Sequence, residues 1–178
     1  RSIFLLCLFS VFSSHAQLYD LRTDHLTVPL SIESPAPRLS WKQRDNRPGA
    51  GQKACQVWLG ADSLSVAGEK AASTGKVNSP ENLITYTQAG LQPFTRYFWK
   101  VAVWDNHGGR VVSEVASFET GMMQVSNWKG EWISDGTDIR LKPAPYFRHS
   151  FEVGKKIRSA RAYIAAGGLF ELYINGTR

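Results

Sequence analysis

The stretch Leu91-Gln92-Pro93-Phe94-Thr95-Arg96-Tyr97, continued by Phe98-Trp99-Lys100-Val101-Ala102-Val103-Trp104, decides the fold. From Tyr97 onward, Tyr97, Trp99, Val101 and Val103 alternate with Phe98, Lys100, Ala102 and Trp104. A period of two marks a strand with one face in a core, and the odd set is expected inside. Upstream, Pro93 sets φ ahead of a bend and Leu91 plugs the core. Tyr97 stands at the start of this late strand. A tyrosine there turns its hydroxyl back onto the upstream backbone, the tyrosine corner of a two-sheet sandwich. Asp105-Asn106-His107-Gly108-Gly109 then reads as a turn, and residues 115–118 as the closing strand.

Working outward, short strand-like segments recur with turn residues between them. Leu26-Thr27-Val28 leads to Pro29, and Arg38-Leu39-Ser40-Trp41 follows Pro35-Ala36-Pro37. Residues 44–51 read as a loop, and 52–59 alternate with Cys55, Val57 and Leu59 on one face. Leu83-Ile84-Thr85-Tyr86 is another short strand. Trp41 is expected to cross the core from the early sheet. Residues 62–72 could form one or two helical turns, and no stretch beyond residue 16 sustains a helical period. Many short strands with frequent turns indicate an all-β sandwich. The spacing L-x-P-x-T-x-Y over 91–97 resembles that of fibronectin type III domains, so 17–121 is expected to be a fibronectin type III/immunoglobulin-like β-sandwich.

Composition agrees. The chain has 178 residues, 43% hydrophobic and 20% charged, a balance that supports a packed core and excludes disorder or a coiled coil. Arg1 precedes the apolar run 3–9, and Ser14-His15-Ala16 supplies a small-x-small exit before Gln17. Residues 1–16 therefore read as a secretory signal peptide, too short in its apolar part to span a bilayer. The residues before Cys7 do not form a lipoprotein signal. The expected location is periplasmic or extracellular. Loss of 1–16 takes away Arg1 and no acid, lowering the net charge from +6 to +5. It also leaves Cys55 as the sole cysteine, expected to be a small buried hydrophobe rather than a nucleophile. The positive charge is scattered, and its densest group, Lys155-Lys156-Ile157-Arg158 with Arg161, sits at a turn, so a nucleic-acid partner is not expected. No membrane span is expected in the mature chain.

A second all-β unit is expected over 122–178, the start of a jelly-roll-like sandwich. It opens with Trp128-Lys129-Gly130-Glu131-Trp132-Ile133, and strands are expected over 146–153, 160–166 and 169–174. Asn175-Gly176 after alternating apolar residues is a hairpin signal, whose second strand is expected beyond Arg178.

The order of these features resembles the N-terminal region of bacterial α-L-rhamnosidases of glycoside hydrolase family 78. The resemblance is carried by Pro37-Arg38-Leu39-Ser40-Trp41, by Gln52, Ala54, Gln56 and Val57, by Gly75-Lys76-Val77, and by the run from Arg96 to Asp105. The second unit adds Trp128 to Ile133, Pro145-Tyr146-Phe147-Arg148, and Ala165-Ala166-Gly167 with the run from Phe170 to Gly176. Cys55 departs from the tyrosine that the resemblance leads one to expect. The resemblance implies a parent hydrolase that removes terminal α-L-rhamnose with inversion, two separated carboxyl groups acting as acid and base. It places those carboxyls in a downstream helical barrel, which would be the partner of these domains within the chain. Rhamnose-containing carbohydrate would be met through the parent enzyme.

No catalytic, cofactor-binding or metal-binding residue is therefore assigned in this chain. Asp105 opens a turn, Glu119 lies on the closing strand, Glu131 sits between two tryptophans, and Glu171 alternates outward. His25, His107 and His149 lack metal-ligand spacing, and no cofactor motif is present. Asn175-Gly176-Thr177 matches a glycosylation acceptor, but a turn is the reading preferred. The alternative is a stand-alone carbohydrate-binding or adhesion module, in which Trp58, Trp104, Trp128 and Trp132 would stack on sugar rings.

Overall fold

The computed structural model describes residues 16–88, 90–138, 140, 144–157 and 159–178; the proposed signal peptide lies almost wholly outside them. Its centre is the antiparallel pairing of β3 (Gln52–Gly60) with β7 (Arg96–Asp105), Cys55 opposite Val103, Val57 opposite Val101 and Leu59 opposite Trp99. On one side β3 pairs with the two-residue strands β4 (Ala72–Ser73) and β5 (Val77–Asn78). On the other, β7 pairs with β8 (Arg110–Val112) and β9 (Ala116–Glu119). A smaller sheet of β1 (Gln17–Thr23), β2 (Arg38–Arg44) and β6 (Leu83–Thr85) packs against it. The result is a two-sheet β-sandwich.

The alternation seen in the sequence fills the space between the sheets. Cys55, Val57, Leu59, Trp99, Val101, Val103 and Phe118 from the larger sheet meet Leu18, Leu39 and Trp41 from the smaller. Two indoles lie in this apolar layer, and each finds an acceptor on the opposite sheet. Trp41 Nε1 donates to Gln52 Oε1 at 3.1 Å, and Trp99 Nε1 to Thr23 Oγ1 at 3.2 Å. Both rings are buried without an orphaned donor. The tyrosine corner is present: the Gln92 N–H donates to the Tyr97 hydroxyl at 2.9 Å.

Three local expectations need correction. Leu26-Thr27-Val28 is not a strand. Leu26 makes only an isolated bridge to Thr23, and Val28 has φ 48°. The first strand is instead β1, whose alternation is broken by a register shift between Tyr19 and Arg22, with Asp20 at φ 50°. The even positions of β7 are also less open than a period of two suggests. Lys100 and Ala102 are buried, Lys100 lying beneath α1 (Ser63–Ala67). The Asp62 carboxylate caps that helix by accepting from the Leu64 and Ser65 amides, and Lys100 Nζ donates to its last carbonyl, Ala67 O, at 2.6 Å. The expected strands over 146–153, 160–166 and 169–174 form no ladder among the described residues, because a strand exists only through a partner.

The chain divides into two units, one running to Gly130 and the other Glu131–Arg178. The first contains the sandwich and a short 3-10 turn, Val125–Asn127. In the second, every described residue is exposed, and a bridge joins Ile174 to Thr177 around Asn175 (φ 50°) and Gly176 (φ 79°). Positive φ at both central residues is the hairpin turn expected of Asn-Gly. No described helix is long and apolar enough to cross a membrane.

Candidate functional site

The tryptophans proposed as stacking platforms fall in different settings. Trp58 and Trp104 lie on the outer face of the larger sheet, away from the core layer. Trp58 is only 5% exposed. Lys76 Nζ lies 4.4 Å from the Trp104 ring centroid and Arg110 Cζ 5.4 Å from it. Arg110 also reaches to 5.9 Å of the Trp58 centroid, and Lys100 Nζ to 5.7 Å. Trp128 is half-buried in the first unit, whereas Trp132 is exposed in the second.

The acids occupy structural positions. Asp105 accepts from the His107 and Gly109 amides at 2.8 and 2.7 Å and closes the β7–β8 turn. Arg47 bridges it to Asp45. Burial by itself would raise the Asp105 carboxyl, but Arg47 and the two amides outweigh it and hold it low. The Arg47 guanidinium and amide hold Asp45 down to about 2. Both acids stay ionised at ordinary pH, which suits an anchor and not a general acid. Glu119 is buried on β9. Glu131 is exposed, and Glu171 pairs with Arg178 at 3.0 Å and accepts from the Tyr173 hydroxyl at 2.8 Å. His25 and His107 are exposed, and His149 stacks on Phe151. Among the described residues no group of three or more His, Cys, Asp or Glu could hold a metal ion. Cys55 is 1% exposed, and burial pushes its thiol up, away from the thiolate a nucleophile needs.

Two features were not legible in the sequence. A shallow cleft of about 270 Å³ beside β2 and β3 is lined by Gln43, Asp45, Gln52 and Asn82 among others. Gln43 Nε2 is buried there without a partner among the described residues. The second is the exit from the sandwich. Ile32 bridges Thr120, donating to Glu119 O and accepting from the Gly121 amide. Beyond that bridge, the Glu33 carboxylate accepts from two successive amides, Met122 at 3.2 Å and Met123 at 2.5 Å. Met123 has φ 59°, and consecutive N–H groups in such a bend form an anion-binding nest, filled here by the chain's own carboxylate. A Cβ at Gly121 would meet the Glu33 carboxylate and the Ser31 hydroxyl, so a larger residue there must push those two side chains aside.

A family model described as the Rha78A-like, N-terminal immunoglobulin domain matches residues 18–124. An α-L-rhamnosidase of Streptomyces avermitilis is 29% identical over 177 residues, covering 86% of this chain and 17% of that protein. One from Alteromonas sp. (strain LOR) is 29% identical over 182 residues, covering 92% of this chain and 20% of its own length. The chain thus spans no more than 20% of these relatives. Among solved structures, the Streptomyces avermitilis α-L-rhamnosidase complexed with L-rhamnose aligns with a TM-score of 0.65 and 34% identity, covering 74% of this chain and 13% of that one. The α-L-rhamnosidase from Dictyoglumus thermophilum aligns at 0.63 and 36%, covering 66% and 14%.

Proposed function

Because this chain belongs to the family of Rha78A-like N-terminal immunoglobulin domains, we propose that it is the non-catalytic N-terminal β-region of an exported α-L-rhamnosidase. The observation that carries this reading is the match of the sandwich and its exit, 18–124, to that family, together with relatives that are α-L-rhamnosidases several times longer. In this reading the parent removes terminal α-L-rhamnose from glycans or glycosides. Hydrolysis proceeds with inversion, one carboxyl group protonating the leaving oxygen and another activating water. Both carboxyls belong to a domain downstream of Arg178. The acids of the sandwich serve turns and ion pairs, as Asp45 and Asp105 do on Arg47. Residues 1–16 direct export, 17–121 form the first domain, and 122–178 begin a second sandwich completed by the chain that follows.

The test is turnover of an aryl α-L-rhamnoside by this chain and by the full reading frame. The full protein is expected to hydrolyse it and to release the inverted anomer, and the chain alone to stay at the buffer rate. Turnover by the chain that is abolished by replacing an acid within 17–178 would overturn the reading, as would an inactive full-length protein.

A further inference from the structure

The outer face of the larger sheet carries positive charge laid over aromatic rings. Trp58 is buried, and the Trp104 ring has Lys76 and Arg110 over it. A ring held in this way offers its quadrupole to a cation, so neutral sugar stacking is not what the face is built for. Its available chemistry is the charge of the cations themselves.

Two of the cations on this face, Arg110 and Lys100, already hold a carboxylate. Glu69, at φ 59° just beyond α1, lays its carboxylate against Arg110, both oxygens 2.8 Å from Nη2, and 3.4 Å from Lys100 Nζ. The hydrogen bond from Arg110 holds this carboxyl below its ordinary range. One carboxylate is thus held by two cations at the Trp58 end of the row. At the Trp104 end, Lys76 is exposed, and among the described residues no carboxylate pairs with it. Arg110 bridges the two ends and uses Nη2 on Glu69, leaving further guanidinium donors.

We propose that this sheet face binds an acidic polysaccharide, a uronate carboxylate lying on Lys76 and Arg110 beside Trp104 as Glu69 lies on Arg110 and Lys100 beside Trp58. The row of side chains across the antiparallel strands suits an extended polymer. The carboxylate follows from the Glu69 geometry, whereas the choice of carbohydrate over acidic peptide rests on the glycosidase reading above.

Affinity electrophoresis of the 178-residue chain tests this, with polygalacturonate, neutral dextran, dextran sulfate and poly-L-glutamate as probes. Polygalacturonate is expected to retard the chain, more weakly as salt rises, and neutral dextran to leave it unmoved. Lys76→Glu is expected to weaken retardation roughly ten-fold, the scale of reversing one close charge. Lys76 is exposed, so loss of its contact with the Trp104 ring is expected to lower the thermal midpoint only slightly. No retardation by polygalacturonate at low salt overturns the proposal, and so does retardation undiminished by Lys76→Glu. Equal retention by dextran sulfate or poly-L-glutamate also overturns it, showing a general polyanion effect. Rhamnoside turnover by the parent is measured separately, so each reading can fail alone.

Discussion

Tyr97 joins two kinds of stabilisation in one side chain. Its ring is 7% exposed and stacks on Phe118 with centroids 5.7 Å apart. Its hydroxyl accepts the Gln92 amide proton at 2.9 Å, in a part-buried position. Tyr97→Phe keeps the ring and removes only that acceptor. The Gln92 N–H is then left without its partner, at an expected cost of about 1–2 kcal/mol. The denaturant midpoint measures it. A change below about 0.3 kcal/mol would show that Tyr97 acts through packing alone.

At the scale of elements, the exit from the sandwich is held by hydrogen bonds from two loops. Phe94 N donates to Gly121 O at 2.9 Å, and the Thr120 hydroxyl donates to Gln92 O at 2.7 Å. The same loop that places Tyr97 therefore also grips the segment leaving β9. Glu33 closes the arrangement from the other side, and Met123 packs against the core. Glu33→Ala is expected to speed hydrogen exchange at the Met122 and Met123 amides roughly three- to ten-fold. Glu33 is exposed, so the effect stays local and the β3 and β7 amides keep their rates. Glu33→Gln retains an acceptor and should preserve much of the protection. Unchanged exchange at both methionine amides in Glu33→Ala would show that the carboxylate does not hold the exit.

For the whole molecule, the two units differ in what they bury. The first closes a core between two sheets. In the second, Trp132, Phe147, Phe151, Leu169, Phe170 and Ile174 are all exposed. So few residues without a disulfide build little core, and open apolar edges pair with other chains. Hydrogen exchange on the 178-residue chain should therefore show one protected domain and rapid exchange over 146–174. Adding the chain that follows in the reading frame should protect that segment and suppress association. Strong, uniform protection of 146–174 in the present chain would mean that the second unit is complete without it.

Local pattern was enough to locate β2, β3, β6, β7 and β9, the tyrosine corner, the buried Cys55 and the Asn175-Gly176 turn. Each is written in residues adjacent in sequence, where alternation and turn chemistry act. The family resemblance was legible for the same reason, being a series of such strands in order. Only the tertiary structure revealed β1 with its bulge at Asp20, the two-residue strands β4 and β5, and β8, because these exist through their partners and carry little pattern of their own. The charged and polar arrangements lie further still from local reading. Arg47 meets Asp105 across 58 residues, Glu33 meets Met123 across 90, and Glu69 meets Arg110 across 41. No residue in any of those pairs signals the other in the sequence. Hydrogen bonds and ion pairs act over a few ångströms, so they form only after hydrophobic closure of the two sheets has brought distant loops together.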